Sequence, residues 1–109
     1  MKKFTKEVIE IILQIPEGHV ATYGQIAKLA GNQRASRQVV RILHSMSRKY
    51  QLPWHRIINA KGKITIKHKK EQKRLLEKEG VKVGDNFFID LQIYQWRSDD
   101  DEYSNWMEG

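Results

Sequence analysis

The chain has no cysteine and only two prolines among its 109 residues. Without a thiol it has no disulfide framework, no thiolate zinc site and no cysteine nucleophile. No apolar run approaches the ~20 residues needed to cross a bilayer. The opening stretch Met1-Lys2-Lys3-Phe4-Thr5-Lys6-Glu7 continues through Glu10 and Gln14, which is unlike a signal peptide. These features predict a cytoplasmic protein with no membrane partner. Patterns for nucleotide phosphates (GxGxxG, the P-loop) and for a serine nucleophile (GxSxG) are missing. His19, His44, His55 and His68 have no metal-ligand spacing, so no metal and no cofactor are expected.

Acidic residues are scarce in the middle of the chain. Between Arg34 and Arg74, thirteen Lys/Arg face a single acid, Glu71, so this segment carries +12 in a chain of net charge +7. The remainder sums to −5, much of it at Asp99-Asp100-Asp101-Glu102. A basic middle in a small domain is the footprint of a polyanionic partner or, equally, of a well-solvated surface.

The patterning is mainly helical. Phe4, Val8, Ile11, Ile12 and Ile15 form one apolar face, with Thr5 as a candidate cap and Pro16 and Gly18 closing the helix. Thr22 can cap a second helix, Tyr23 to Leu29, which Gly31 ends. A third helix is predicted from about Ala35 to Ser47, with Val39, Val40, Leu43 and Met46 inward and Arg34, Arg37 and Arg41 off that stripe. Two short helices around a glycine turn suggest a helix-turn-helix, and an ordinary helical hairpin reads the same way. Ile57-Ile58 and Ile64-Thr65-Ile66, around the turn Ala60-Lys61-Gly62-Lys63, suggest a small β hairpin or wing. A basic helix follows from about His68 to Lys78, with Leu75 and Leu76 inward, and Phe87 to Tyr94 reads as a last strand or extended segment. The expected fold is therefore mainly α with a small β hairpin, a winged helix-turn-helix-like domain over residues 1–96. The acidic tail, 97–109, is open to two readings, disorder or contact with a partner.

Three residues divide between packing and function. Trp54, between Pro53 and the His55-Arg56 pair, is either core or the aromatic wall of a pocket that stacks on a base. Arg37 is either one more phosphate contact or a guanidinium inserted into a duplex. Tyr23 is either core or a phosphate contact at a helix start.

Taken in order, these segments resemble a known family. Thr22-Tyr23-Gly24-Gln25-Ile26-Ala27, Gly31-Asn32, Arg34-Ala35-Ser36-Arg37-Gln38-Val39-Val40, Pro53-Trp54-His55-Arg56-Ile57-Ile58 and Leu75-Leu76-Glu77-Lys78-Glu79-Gly80 are similar to the DNA-binding domain of O6-alkylguanine-DNA alkyltransferases. The similarity runs from about Ile15 to Gly80 and includes the 17-residue step from Arg37 to Trp54. Those enzymes carry Pro-Cys-His-Arg where this chain has Pro53-Trp54-His55-Arg56, and their cysteine accepts the alkyl group. An indole has no comparable nucleophile. The chain thus resembles the alkyltransferase-like proteins, which bind O6-alkylguanine in DNA without repairing it and pass it to nucleotide excision repair. It also looks short of the transferases' N-terminal domain.

That resemblance implies roles by position. The third helix would lie in the minor groove, with Thr22, Tyr23, Arg34, Ala35, Ser36, Arg37 and Arg41 against DNA. Arg37 would fill the gap left by the extruded nucleotide, and Tyr23 would press on the neighbouring phosphate. Tyr23, Pro53, Trp54, His55, Arg56 and Lys67 would form the alkylguanine pocket. Lys67 is a candidate sensor of base electrostatics or, equally, a solvated lysine. His55 and Glu79, which activate the cysteine in the transferases, would be structural here. Tyr94 and Trp96 resemble an aromatic pair closing the pocket, with core packing as the rival role. Met46-Ser47 stand where transferases often have Asn-Pro. The implied function is a non-enzymatic sensor of O6-alkylguanine in double-stranded DNA, acting as a monomer with nucleotide excision repair proteins. The alternative is a sequence-specific winged-helix transcription regulator.

Overall fold

A computed structural model describes residues 1–97; the expected acidic tail beyond Arg97 lies outside the described residues. The described residues form five α-helices and a two-stranded sheet. Helix α1 (Lys3–Gln14) turns Val8, Ile9 and Ile12 inward. It starts three residues earlier than a cap at Thr5 would place it, with Lys2 at the cap position and no side-chain cap. Strand β1 (Ala21–Thr22) leads directly into α2 (Tyr23–Leu29), and α3 (Ser36–Tyr50) follows.

Helix α3 outruns the predicted end at Ser47 because no glycine or proline intervenes before Pro53. Gln51 closes it by adopting the left-handed conformation (φ 51°). The inward stripe is Val39, Ile42 and Leu43; Val40 is instead 44% exposed, among the arginines, and Met46 only borders the core.

The β component is a pair, but not the expected hairpin. Strand β2 (Ile57–Ile58) pairs parallel with β1, Ala21 opposite Ile57 and Thr22 opposite Ile58. The chain does turn after β2, where Asn59 Oδ1 accepts from the amides of Lys61 (3.0 Å) and Lys63 (2.9 Å). It then pairs with a later segment: Ile64 N–H donates to Phe87 O (3.0 Å) and Ile89 N–H to Gly62 O (2.8 Å). Gly62 sits at φ +80°, and a Cβ there would lie 2.5 Å from Ile89 O, so only glycine allows this approach.

Helix α4 (Lys69–Lys78) has Gln72 and Leu76 buried, while Leu75 is half-buried. The final segment is not a strand. Asp85–Phe87 is a 3₁₀ turn, and Asp90 caps the short helix α5 (Leu91–Tyr94) by accepting from Gln92 N–H at 2.9 Å. The chain beyond α5 then lies beside β1. Val20 N–H donates to Tyr94 O (2.9 Å), and Trp96 N–H donates to Val20 O (2.7 Å).

Successive residues on a strand face opposite ways, and this small sheet uses that to separate two cores. Ala21 and Ile57 join the helical cluster of α1, α2 and α3; Val20 and Ile58 join Ile64, Leu76, Val81, Val83 and Ile89. Among the described residues no helix is long and apolar enough to cross a membrane.

Candidate nucleic-acid interface

The helix-turn-helix is fixed by short-range polar bonds. Thr22 Oγ1 accepts from Gln25 N–H (3.0 Å) and Gln25 Oε1 accepts from Thr22 N–H (3.2 Å), a reciprocal cap that sets the start of α2. Gly31, at φ +95°, ends that helix, and Asn32 N–H reaches back to Ala27 O at 3.0 Å. Asn32 Oδ1 then accepts from Arg34 N–H (3.1 Å), while Ala35 N–H donates to Asn32 O (3.0 Å), which aims the start of α3.

The first turn of α3 has no side-chain cap and no acidic residue, so its amides are open to an external anion. Arg34, Arg37 and Arg41 stand exposed around it, and the ion pairs formed among the described residues involve none of them. Ser36 is half-buried, and Ala35, 5% exposed, packs into the helical core. Tyr23 is half-buried beside that core, and desolvation raises its phenol pKa, so it stays a neutral hydroxyl.

Pro53, Trp54, His55 and Arg56 line one open cleft of about 790 Å³, together with Leu13, Ser47, Arg48, Gln51 and Leu52. Trp54 opens a 3₁₀ turn (Trp54–Arg56) and meets the His55 ring edge-on, centroids 6.1 Å apart. Tyr23 and Lys67 do not line this cleft. Tyr23 packs against the same helical core as Trp54, Met46 and Trp96, and Lys67 is exposed.

Glu79 secures the turn from below. Its carboxylate accepts from Arg56 Nη2 (2.8 Å), Arg56 Nε (3.0 Å) and Gly18 N–H (3.1 Å), and pairs with His55 Nε2 (2.6 Å). Arg56 also donates to Ile15 O at 2.9 Å. Desolvation pushes the Glu79 carboxyl up, but the bonds from Arg56, His55 and Gly18 outweigh it and hold it at about 2. His55, Arg56 and Glu79 therefore form one hydrogen-bonded network.

Three glutamines were not singled out from the sequence. Gln25 Nε2 donates to Trp96 O, and Gln95 Nε2 to Gln25 Oε1 (2.9 Å), which ties the C-terminal segment to the helix-turn-helix. The Thr22-x-x-Gln25 spacing of a capping box was the available signal. Gln72 bonds to the backbone of the Trp54 turn. Its signal was an uncharged amide on the inward side of a lysine-rich helix.

The basic charge divides over two surfaces. Beyond α3, helix α4 forms an open cleft lined by Lys70, Lys73, Arg74, Glu77, Lys78 and Phe87. Lys69 and Lys73 sit 4.9 and 5.6 Å from the Phe87 ring centre, and Arg74 is paired with Glu71 at 2.6 Å.

A helix-turn-helix whose exposed arginines are unpaired among the described residues, in a strongly basic chain, is the pattern of a nucleic-acid-binding domain. The chain belongs to the family of the 6-O-methylguanine DNA methyltransferase DNA-binding domain, whose model matches residues 3–81. It is 44% identical over 95 residues to a DNA base-flipping protein of Escherichia coli, covering 85% of this chain and 74% of that one. It is also 32% identical over 105 residues to alkyltransferase-like protein 1 of Schizosaccharomyces pombe, covering 89% and 97%. The fold matches the crystal structure of S. pombe Atl1 in complex with damaged DNA containing O6-carboxymethylguanine. The TM-score is 0.81 at 32% identity, over 90% of this chain and 98% of that one.

Proposed function

We propose that this protein is a non-enzymatic sensor of O6-alkylguanine in double-stranded DNA. It binds through the minor groove, flips the modified base into a pocket and marks it for nucleotide excision repair. The observation that carries this reading is a tryptophan, in a chain without cysteine, in the cleft of an alkyltransferase DNA-binding fold. In the Pro-Cys-His-Arg register Trp54 takes the cysteine's place, and no other thiol exists to accept an alkyl group. Binding without transfer is the function left to such a site. The relatives support it: one is named a DNA base-flipping protein, and Atl1 was solved on DNA containing O6-carboxymethylguanine.

Each element then has a task. The open amides of α3, with Arg34 and Arg41, hold phosphates, and Thr22 sets the start of α2. Arg37 occupies the space vacated in the stack, and Tyr23, a neutral hydroxyl, supports rotation of the adjacent phosphate. Extrusion costs a few kcal/mol, less for a base that pairs badly, and this difference selects the lesion. Pro53 and Trp54 supply an apolar, stacking wall; His55 and Arg56 shape it through Glu79. Lys67, on the exposed loop before α4, approaches the modified base in the complex.

Fluorescence titration with matched duplexes, one containing O6-methylguanine, tests the reading. Preference for the lesion in varied sequence contexts is expected. Preference for one sequence regardless of methylation means a transcription regulator. Mass spectrometry after incubation should find no methylated peptide, and a +CH₂ adduct would establish a transfer enzyme instead.

A further inference from the structure

Gln72 is 1% exposed, on the side of α4 that faces the Trp54 turn. Its Nε2 donates to two main-chain carbonyls, His55 O at 2.9 Å and Ile57 O at 3.0 Å. A side-chain amide has two N–H groups, so both are used, and since both partners are acceptors only the nitrogen end of the amide fits there. Oε1 is left buried without a partner among the described residues. An apolar residue would avoid that unpaired acceptor, and Leu76, one turn further along the same inner face, is fully buried. Packing alone therefore gives no reason for a glutamine. The two donors do.

The carbonyls it holds flank Arg56 and span the junction between the 3₁₀ turn and β2. Glu79 grips the same turn through the side chains of His55 and Arg56. The two grips are complementary: one fixes side chains, the other fixes the backbone on which the indole is mounted.

We propose that Gln72 is a positioning residue for the base pocket, holding the His55 and Ile57 carbonyls so that the Trp54 turn keeps the pitch that presents the indole to the cleft. The role in base binding rests on the lesion-sensor reading above; the backbone clamp does not.

Gln72→Met keeps the length of the side chain and removes both donors. Leu76→Val is the control, a packing defect on the same helix face that leaves the carbonyls bonded. In titrations of the full chain, Gln72→Met should lose about tenfold in preference for the O6-methylguanine duplex, the scale of one to two lost hydrogen bonds. Affinity for the undamaged duplex should stay within about twofold. Amide hydrogen exchange at Trp54, Arg56 and Ile57 should accelerate. Leu76→Val should lower the denaturation midpoint and leave the preference unchanged.

An unaltered preference and unaltered exchange in Gln72→Met overturn the proposal, as does an equal loss of preference in Leu76→Val. If the wild-type protein binds both duplexes equally, the lesion-sensor reading fails. Exchange of the turn amides then decides the clamp alone, faster exchange in Gln72→Met supporting it and unchanged exchange refuting it. The wild-type protein offers a further check should the variant not fold. Both Gln72 side-chain amide protons should exchange slowly with solvent, and fast exchange rules out the clamp.

Discussion

Replacing Glu79 by glutamine should remove most of the acid sensitivity of this fold. The carboxyl sits at about 2 against an ordinary 4.5. At ~1.36 kcal/mol per pH unit, that depression corresponds to about 3 kcal/mol of stability at neutral pH. The sign follows from the direction. A carboxylate with a lowered folded-state pKa stabilises fully above its unfolded value, and the contribution is lost as pH falls toward 2. Between pH 5 and pH 3 about 2 kcal/mol of it should disappear. Glu79→Gln cannot show this loss, and at pH 7 it should already be destabilised by about 3 kcal/mol. An amide leaves the Arg56 guanidinium, with its side chain 19% exposed, without a counter-charge. Urea unfolding of both proteins at pH 7, 5, 4 and 3, followed by far-ultraviolet circular dichroism, isolates the effect, because all other carboxylates titrate in both. Stabilities that fall in parallel from pH 5 to pH 3 would refute the account of Glu79 as the hub beneath the pocket turn.

Arg37→Ala should weaken binding to an O6-methylguanine duplex far more than to the undamaged one. Equal losses in a fluorescence titration would reduce Arg37 to a phosphate contact. Lys70→Gln, which alters an exposed side chain on α4, should lower affinity for both duplexes alike. If Lys70 meets one phosphate, the slope of log K against log salt should also flatten by ~0.9. An unchanged slope would take the α4 surface out of the DNA interface. Gly62→Ala places a Cβ 2.5 Å from Ile89 O at φ +80°. Thermal unfolding should show a loss of at least ~1–3 kcal/mol, and an unchanged midpoint would mean that the turn relaxes freely.

The helix-turn-helix was legible because its signals are local: the Thr22 cap, the glycine at Gly31, and arginines off an apolar stripe. The sheet was not, since its pairing joins Ala21 to Ile57 and no local pattern marks a parallel partner. Ile57-Ile58 announced a buried strand without saying what it pairs with, and proximity suggested Ile64–Ile66. Phe87 to Tyr94 has the composition of a strand, yet Asp90 caps a short helix there, a local bond that outweighs β propensity. Val40 fits the helical period but lies on the edge of the stripe, where tertiary packing selected Ile42 instead. Of the expected pocket residues, Pro53 to Arg56 share a cleft because they are contiguous. Tyr23 and Lys67 come from other elements, distant in sequence from that turn, and do not line the cleft.

The two-residue sheet also bears on the order of folding. Its register closes a loop of about 36 residues between Ala21 and Ile57, and that loop is the helix-turn-helix itself. Closure of an unstructured loop that long costs about 3 kcal/mol of chain entropy. Once α2 and α3 have docked, most of that cost is already met. The reading helices should therefore form in the folding transition state, and the sheet, with the segment at Tyr94–Trp96 beside it, should zip up afterwards. Substitutions in β1 and β2 should then act mainly on the unfolding rate, so that the lifetime of the folded domain is set at the sheet and its rate of formation at the helices.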